Sequence, residues 1–244
     1  MQTVTAVLTI YKRVDNLEKQ IKSLLAQTYK IDKFIINVNL TERRREYTYI
    51  INKLIPWALI IEHSFNLGVW SRFFISFNAN TDFIFILDDD IIPWTWYIQN
   101  CIDCYNQKPW IYGSWGSNFK NLKIRKDRDI LSESNNIPSK ITQVDMSGHS
   151  WFFGRSNLSS MFDKLPNDLE KFKVCWEELW VSYRALANWI NTYVPPMNNQ
   201  ELTGNLEPTL WHDQNAWFNQ FWNNLYQEFY DYCILDWFLP LNFK

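Results

Sequence analysis

Phe83 to Leu87 reads F-I-F-I-L and runs directly into Asp88, Asp89 and Asp90. A short, unbroken apolar run fits a strand buried on both faces. Three carboxylates at its end are electrostatically costly, because like charges repel and desolvation raises their pKa. Together these facts call for a sheet covered by helices, with the carboxyl end of this strand facing something that offsets the charge.

The segments before it supply such a sheet. Val4 to Tyr11 (V-T-A-V-L-T-I-Y), Phe34 to Asn39 (F-I-I-N-V-N) and Ala58 to Glu62 predict strands. Between them, Asn16 to Gln27 places Leu17, Ile21, Leu24 and Leu25 at helical spacing, behind Asp15 and Glu18 in a capping-box pattern. Glu46 to Leu54, ended by Pro56, and Val69 to Asn78 predict two more helices. Alternating strands and helices are the pattern of an α/β fold with a doubly wound, mostly parallel sheet. Such sheets bind ligands beyond the carboxyl ends of their strands, where the aspartates stand. The second half is less regular. Residues 113–142 are polar and turn-rich and predict a loop, and 198–208 predict another. Glu177 to Trp189 predicts a helix, and an aromatic-rich helical stretch ends near residue 232. With no repeat and no clear linker, a single domain is expected.

Composition narrows the function classes. The net charge of −2 gives no basic surplus for nucleic acid, and Arg43-Arg44-Arg45 reads as a solvated turn. The chain carries 14 Trp, 12 Tyr and 17 Phe, which suit either a packed core or stacking on sugars and bases. The aromatic C-terminus, with Trp217, Phe218, Phe221, Trp222 and Trp237, is expected to pack into the core, the alternatives being a dimer contact or a membrane surface. Cys101, Cys104, Cys175 and Cys233 lack a zinc-spaced partner set and read as buried thiols of a reducing, cytoplasmic compartment. No secretory leader and no apolar run of about 18 residues is visible.

The aspartates carry the chemistry. Magnesium and manganese take hard oxygen ligands, often a carboxylate or two plus substrate phosphates. Asp88 and Asp90 are expected to turn to one such site, with Asp89 directed elsewhere. The alternative is a plain turn or helix cap. Glu177 and Glu178 suit a helix start, and equally a catalytic carboxylate that takes a proton from an acceptor hydroxyl. His212 is a packing residue or a further manganese ligand. Arg72 is a surface helix residue, or offers a planar fork to a diphosphate.

In this order, the pieces resemble the nucleotide-sugar glycosyltransferases of the GT-A fold, family 2-like and exostosin-like members. The opening V-L-T-I-Y-K-R and S-L-L-A-Q-T are similar to their first nucleotide-binding unit. N-L-G-V-W-S-R-F and T-D-F-I-F-I-L-D-D-D-I-I-P resemble the approach to their D-x-D motif. V-D-M-S-G-H-S-W-F-F-G-R-S-N-L resembles the acceptor-side strand and turn, C-W-E-E-L-W-V-S-Y-R the motif of the catalytic acid, and T-L-W-H-D a late W-H motif. The resemblance implies a nucleotide-sugar-binding half over 1–110 and an acceptor half over 111–244. It implies a nucleotide-sugar pocket lined by Thr9, Tyr11, Arg13, Asn39, Asn66 and Arg72, with Asp88 and Asp89 beside the donor. Asp90, with Asp88 and His212, would hold Mn2+ or Mg2+. Glu178, seconded by Glu177, would be catalytic, and His149 and Trp151 would meet the acceptor. Glu178 stands where the family has Asp, and Asp213 stands where exostosin-like members have a basic residue. The implied activity is transfer of a sugar, from UDP first of all, to a glycan or glycoconjugate hydroxyl. A sugar nucleotidyltransferase would want a Gly-rich phosphate loop, and the chain has only six glycines. A non-catalytic glycan-binding protein would have no use for the aspartates.

Overall fold

The computed structural model describes residues 2–11, 13–131, 136–167, 177–197, 203–205 and 224–243. Its centre is one mixed, mostly parallel sheet in the strand order β3-β2-β1-β4-β9-β6-β10-β8, with β7 paired to β6. The N-terminal strands are β1 (Val4–Ile10), β2 (Lys33–Asn39), β3 (Leu59–His63) and β4 (Phe83–Leu87). They run parallel, with β1 between β2 and β4. The second half adds β6 (Ile111–Phe119), β7 (Arg128–Leu131), β8 (Thr142–Val144), β9 (Met146–Gly154) and β10 (Thr192–Val194). β9 enters antiparallel between β4 and β6. A separate ribbon pairs β5 (Ile91–Pro93) with β11 (Thr203–Asn205).

Period-two alternation divides the core into two layers. Val4, Ala6 and Leu8 join Phe34, Ile36, Phe83 and Phe85 on one face. Helices α1 (Leu17–Leu25), α2 (Arg44–Leu54) and α4 (Tyr97–Gln107) cover that face with Leu17, Ile21, Leu24, Ile51, Ile98 and Cys101. Val7, Ile35, Ile84 and Ile86 point the other way, against α3 (Ser71–Ser76), α5 (Leu158–Met161) and α6 (Glu177–Ala187). Helix α7 (Asn224–Leu235) seals an aromatic cluster in which Phe229 and Tyr230 meet Trp180, Phe119 and Trp115. The described C-terminal aromatics are thus partly core, although Trp237 is 88% exposed. Trp217, Phe218, Phe221 and Trp222 lie outside the described residues.

Several expectations need correction. Asp15 does not cap α1. Asn16 takes that place with no side-chain cap bond, because both Asp15 oxygens are bound by Arg43 at 2.8 and 2.7 Å. Helix α3 is shorter than the pattern over 69–78 suggested. The loop expected over 113–142 contains most of β6, all of β7 and the start of β8. Its glycines serve close packing and not turns: a Cβ on Gly113 would lie 2.7 Å from the Ser147 Cβ, and one on Gly116 2.7 Å from a Val144 methyl. Thr203–Asn205, within the second expected loop, is a strand. Cys101, Cys104 and Cys233 are free and buried, with thiol pKa values pushed up by that burial, so they are poor nucleophiles. Cys175 lies outside the described residues. Among the described residues no helix is long and apolar enough to cross a membrane.

Candidate active site

Strand order reverses between β1 and β4, since the chain leaves β1 towards β2 on one side and returns as β4 on the other. A crevice opens beyond the carboxyl ends of two such strands. Arg13 follows β1, and Asp88 to Asp90 follow β4. They meet there: Arg13 Nη1 donates to Asp89 Oδ1 at 3.0 Å and to Asp90 Oδ2 at 3.2 Å. Asp89 and Asp90 keep 20% and 22% of their side-chain surface open. Desolvation still dominates both, raising Asp89 to about 7, with help from the Asp90 charge and against the pull of Arg13. Asp90 is raised for the same leading reason.

Asp88 faces elsewhere. Its carboxylate binds one nitrogen of Arg72, whose other terminal nitrogen binds the buried Glu177. The expected pairing of Asp88 with Asp90 is therefore not what the backbone produces. The two adjacent residues that converge are Asp89 and Asp90, and Asp88 is tied to the acid pair on α6. The Arg72 guanidinium lies 4.6 Å from the centre of the Trp151 ring, and its Nε is buried without a partner.

The turn holding the aspartates is fastened by α1. Gln20 and Ser23 of the helix, with Asn16 at its N-cap and Gln27 just past its C-terminal end, donate to backbone carbonyls along 88–94. Gln20 Nε2 reaches the Asp88 and Ile91 oxygens at 2.6 and 2.9 Å, Gln27 reaches Trp94 at 2.6 Å, and Asn16 reaches Asp89 at 3.4 Å. Ser23 binds the Pro93 carbonyl. A second network shapes the approach to Arg72. Asn39 donates to Asn66 at 2.9 Å and to the Gly68 carbonyl at 3.2 Å, and accepts from the Leu67 N–H at 2.8 Å. Gly68 has φ 73°, the left-handed region that suits glycine. Beneath it, Asn37 joins Ser71 at 2.8 Å and Thr9 at 3.3 Å. Asn39, Asn66 and Thr9 thus hold backbone and neighbouring side chains in place. Tyr11 sits just past β1, where its carbonyl accepts from the Arg13 N–H.

Glu178 starts α6 and lies against β9. A Cβ on Gly148 would stand 2.8 Å from the Glu178 carboxyl carbon, so glycine is what lets the acid approach. Burial raises its pKa to about 7. Glu177 raises it further, while Arg72, Arg128 and the His149 backbone N–H lower it. A carboxylate tuned to that range can take a proton at neutral pH. The His149 ring stacks on Trp115 at 5.3 Å, and Arg128 lies 5.2 Å over that same Trp115. Desolvation holds the His149 ring near a pKa of about 3, so it is neutral.

Trp151, expected at the acceptor, is fully buried between Phe73 and Arg72 and has no face free for a sugar. Its position on β9 points it into the helix-covered layer, whereas His149, two residues earlier, lies beside the acids. His212 lies outside the described residues. Asn16, Gln20, Trp115 and Arg128 are site residues that the sequence reading missed. Gln20 had a signal, a polar residue inside the apolar stripe of α1. Arg128 had none, being inside a segment that reads as loop. Among the described residues no group of three or more His, Cys, Asp or Glu is gathered to hold a metal ion. Asp89 and Asp90 do offer two hard oxygens converging on one cationic nitrogen, a donor set that fits magnesium or manganese once phosphate oxygens complete the shell. No protein-family model matches the chain, and no curated protein matches it at a significant level.

Proposed function

We propose that the protein is a GT-A-like glycosyltransferase that moves a sugar from a nucleotide-diphosphate donor, UDP-linked in the first instance, to a hydroxyl of a glycan or glycoconjugate. The observation that carries this reading is the meeting of Arg13 with Asp89 and Asp90 at the switch point of the sheet, with Glu178 nearby across the Arg72 bridge. Asp89 and Asp90 would hold Mn2+ or Mg2+, which when bound neutralises the diphosphate and stabilises charge on the leaving group. Arg13 and Arg72 supply fixed positive charge for the same phosphates. The acceptor oxygen attacks the anomeric carbon, the bond from that carbon to the diphosphate oxygen breaks, and Glu178 takes the acceptor proton. Attack with a carboxylate base in this role inverts the sugar centre. Free buried thiols support a reducing, cytoplasmic setting.

The test is a panel of nucleotide sugars with and without manganese, read by thermal shift and by release of nucleotide. Manganese-dependent stabilisation by UDP and turnover of one donor are expected. Ligand at about 100 times its Kd stabilises by about 2.7 kcal/mol, a readily measured shift. Stabilisation by free glycans alone, with no response to any nucleotide, would replace this reading with a glycan-binding one.

A further inference from the structure

β9 carries an irregularity beside the acids. Gly113 pairs with Trp151 and Trp115 pairs with Gly148, so one residue of β6, Ser114, faces two of β9, His149 and Ser150. This is a one-residue bulge. His149 sits in it at φ 66°, a left-handed conformation that costs a residue with a Cβ about 1 kcal/mol or more. Leu87 of β4 pairs with Ser150, so the bulge lies level with Asp88. In a regular strand the His149 N–H would point along the ladder towards a neighbouring strand. Here it turns out to the Glu178 carboxylate on α6. What holds the strained residue is its ring, stacked on Trp115 at 5.3 Å and 22°, with Arg128 on the same indole.

We propose that His149 is a positioning residue for the Glu178 base: its ring, clamped by Trp115, locks a left-handed bulge whose backbone N–H fixes the orientation of the Glu178 carboxylate. The imidazole does no proton chemistry and makes no required contact with the acceptor. This rests on the reading of Glu178 as the base. The His149 ring is neutral near pH 7, which suits it to a positioning role as a flat stacking surface. The charged and titratable groups facing Glu178 are Glu177 on α6, Arg72 on α3, Arg128 on β7 and His149 on β9. None but His149 offers it a backbone donor among these.

Two substitutions separate the ring's stacking from its chemistry. His149→Phe keeps a flat ring for Trp115 and removes both imidazole nitrogens. His149→Ala removes the clamp. Both are checked for folding by circular dichroism and melting. With an active donor, His149→Ala should lower kcat about tenfold with acceptor KM little changed, and move the acidic limb of the pH profile up by about one unit. His149→Phe should restore kcat and the limb to near wild type. The same variants are read without activity by titrating 13C-labelled glutamate carboxyls, with Glu178 assigned through Glu178→Gln. The Glu178 midpoint should rise in His149→Ala and return in His149→Phe. An unmoved midpoint in His149→Ala, or equal loss of kcat in both variants, overturns the proposal. A protein that turns over no nucleotide sugar but shows the titration shift loses the assigned reaction and keeps the positioning of Glu178.

Discussion

Arg72 shows how much one side chain carries here. It is 8% exposed, and its terminal nitrogens bind Asp88 at the end of β4 and Glu177 at the start of α6. Removing one partner from a buried charge network leaves the others uncompensated, at about 3–5 kcal/mol. Arg72→Ala should therefore lower unfolding free energy in urea by about that much, and Arg72→Lys should recover only part, since an ammonium cannot span both acids with a planar fork. A loss below about 1 kcal/mol for the alanine variant would mean that the acids are solvated and that the bridge is incidental. The sequence offered Arg72 as a candidate for a diphosphate because its type and place suit one. It could not show Glu177 as its partner, because that contact joins segments 105 residues apart. Nor could it show which aspartates converge. That depends on how the turn after β4 directs adjacent side chains, and the turn is set by α1.

Helix α1 has two functions in one pattern. Leu17, Ile21 and Leu24 pack it on the sheet, and Asn16, Gln20, Ser23 and Gln27 hold the carbonyls of the aspartate turn. Gln20→Met keeps volume and removes both donors. Unsatisfied buried carbonyls cost about 1–3 kcal/mol each, so the variant should melt earlier and bind nucleotide more weakly, because the Asp88 backbone is no longer fixed. Unchanged nucleotide affinity would make the clamp a matter of stability alone. Elements with strong local patterns were legible: the strand over Phe83–Leu87 has the bounds the sequence suggested. β6 was not, because Gly113 and Gly116 are small for the sake of neighbours on β9, β8 and β10, and together with Ser114 and Ser117 they imitate a turn in sequence.

At the scale of the whole molecule, the site is a stability cost. Glu178 titrates near 7 in the folded protein against 4.5 ordinarily, so between those values the folded state holds a proton that the unfolded chain lacks. Its contribution is full below about pH 4.5 and is lost as pH rises through 7. Glu178→Gln should be more stable than wild type at pH 8, by on the order of 3 kcal/mol, with no such gain at pH 4.5. A gap of equal size at both pH values would show that burial, not charge, sets the difference. The neutral His149 ring is common to both proteins and cancels in the comparison. The alternation of strands and helices gave away the parallel half of the sheet, while the insertion of antiparallel β9 between β4 and β6 left no local trace, because strand order is a choice among distant partners. That same remoteness governs assembly. Arg13 closes on Asp90 across 77 residues and Arg72 on Glu177 across 105, so closure entropy must be overcome before either contact forms. The acid cluster has no local precursor: it exists only while α6 is packed against β9 and Arg72, so an opening that lifts α6 would dismantle it with the parallel strands still paired.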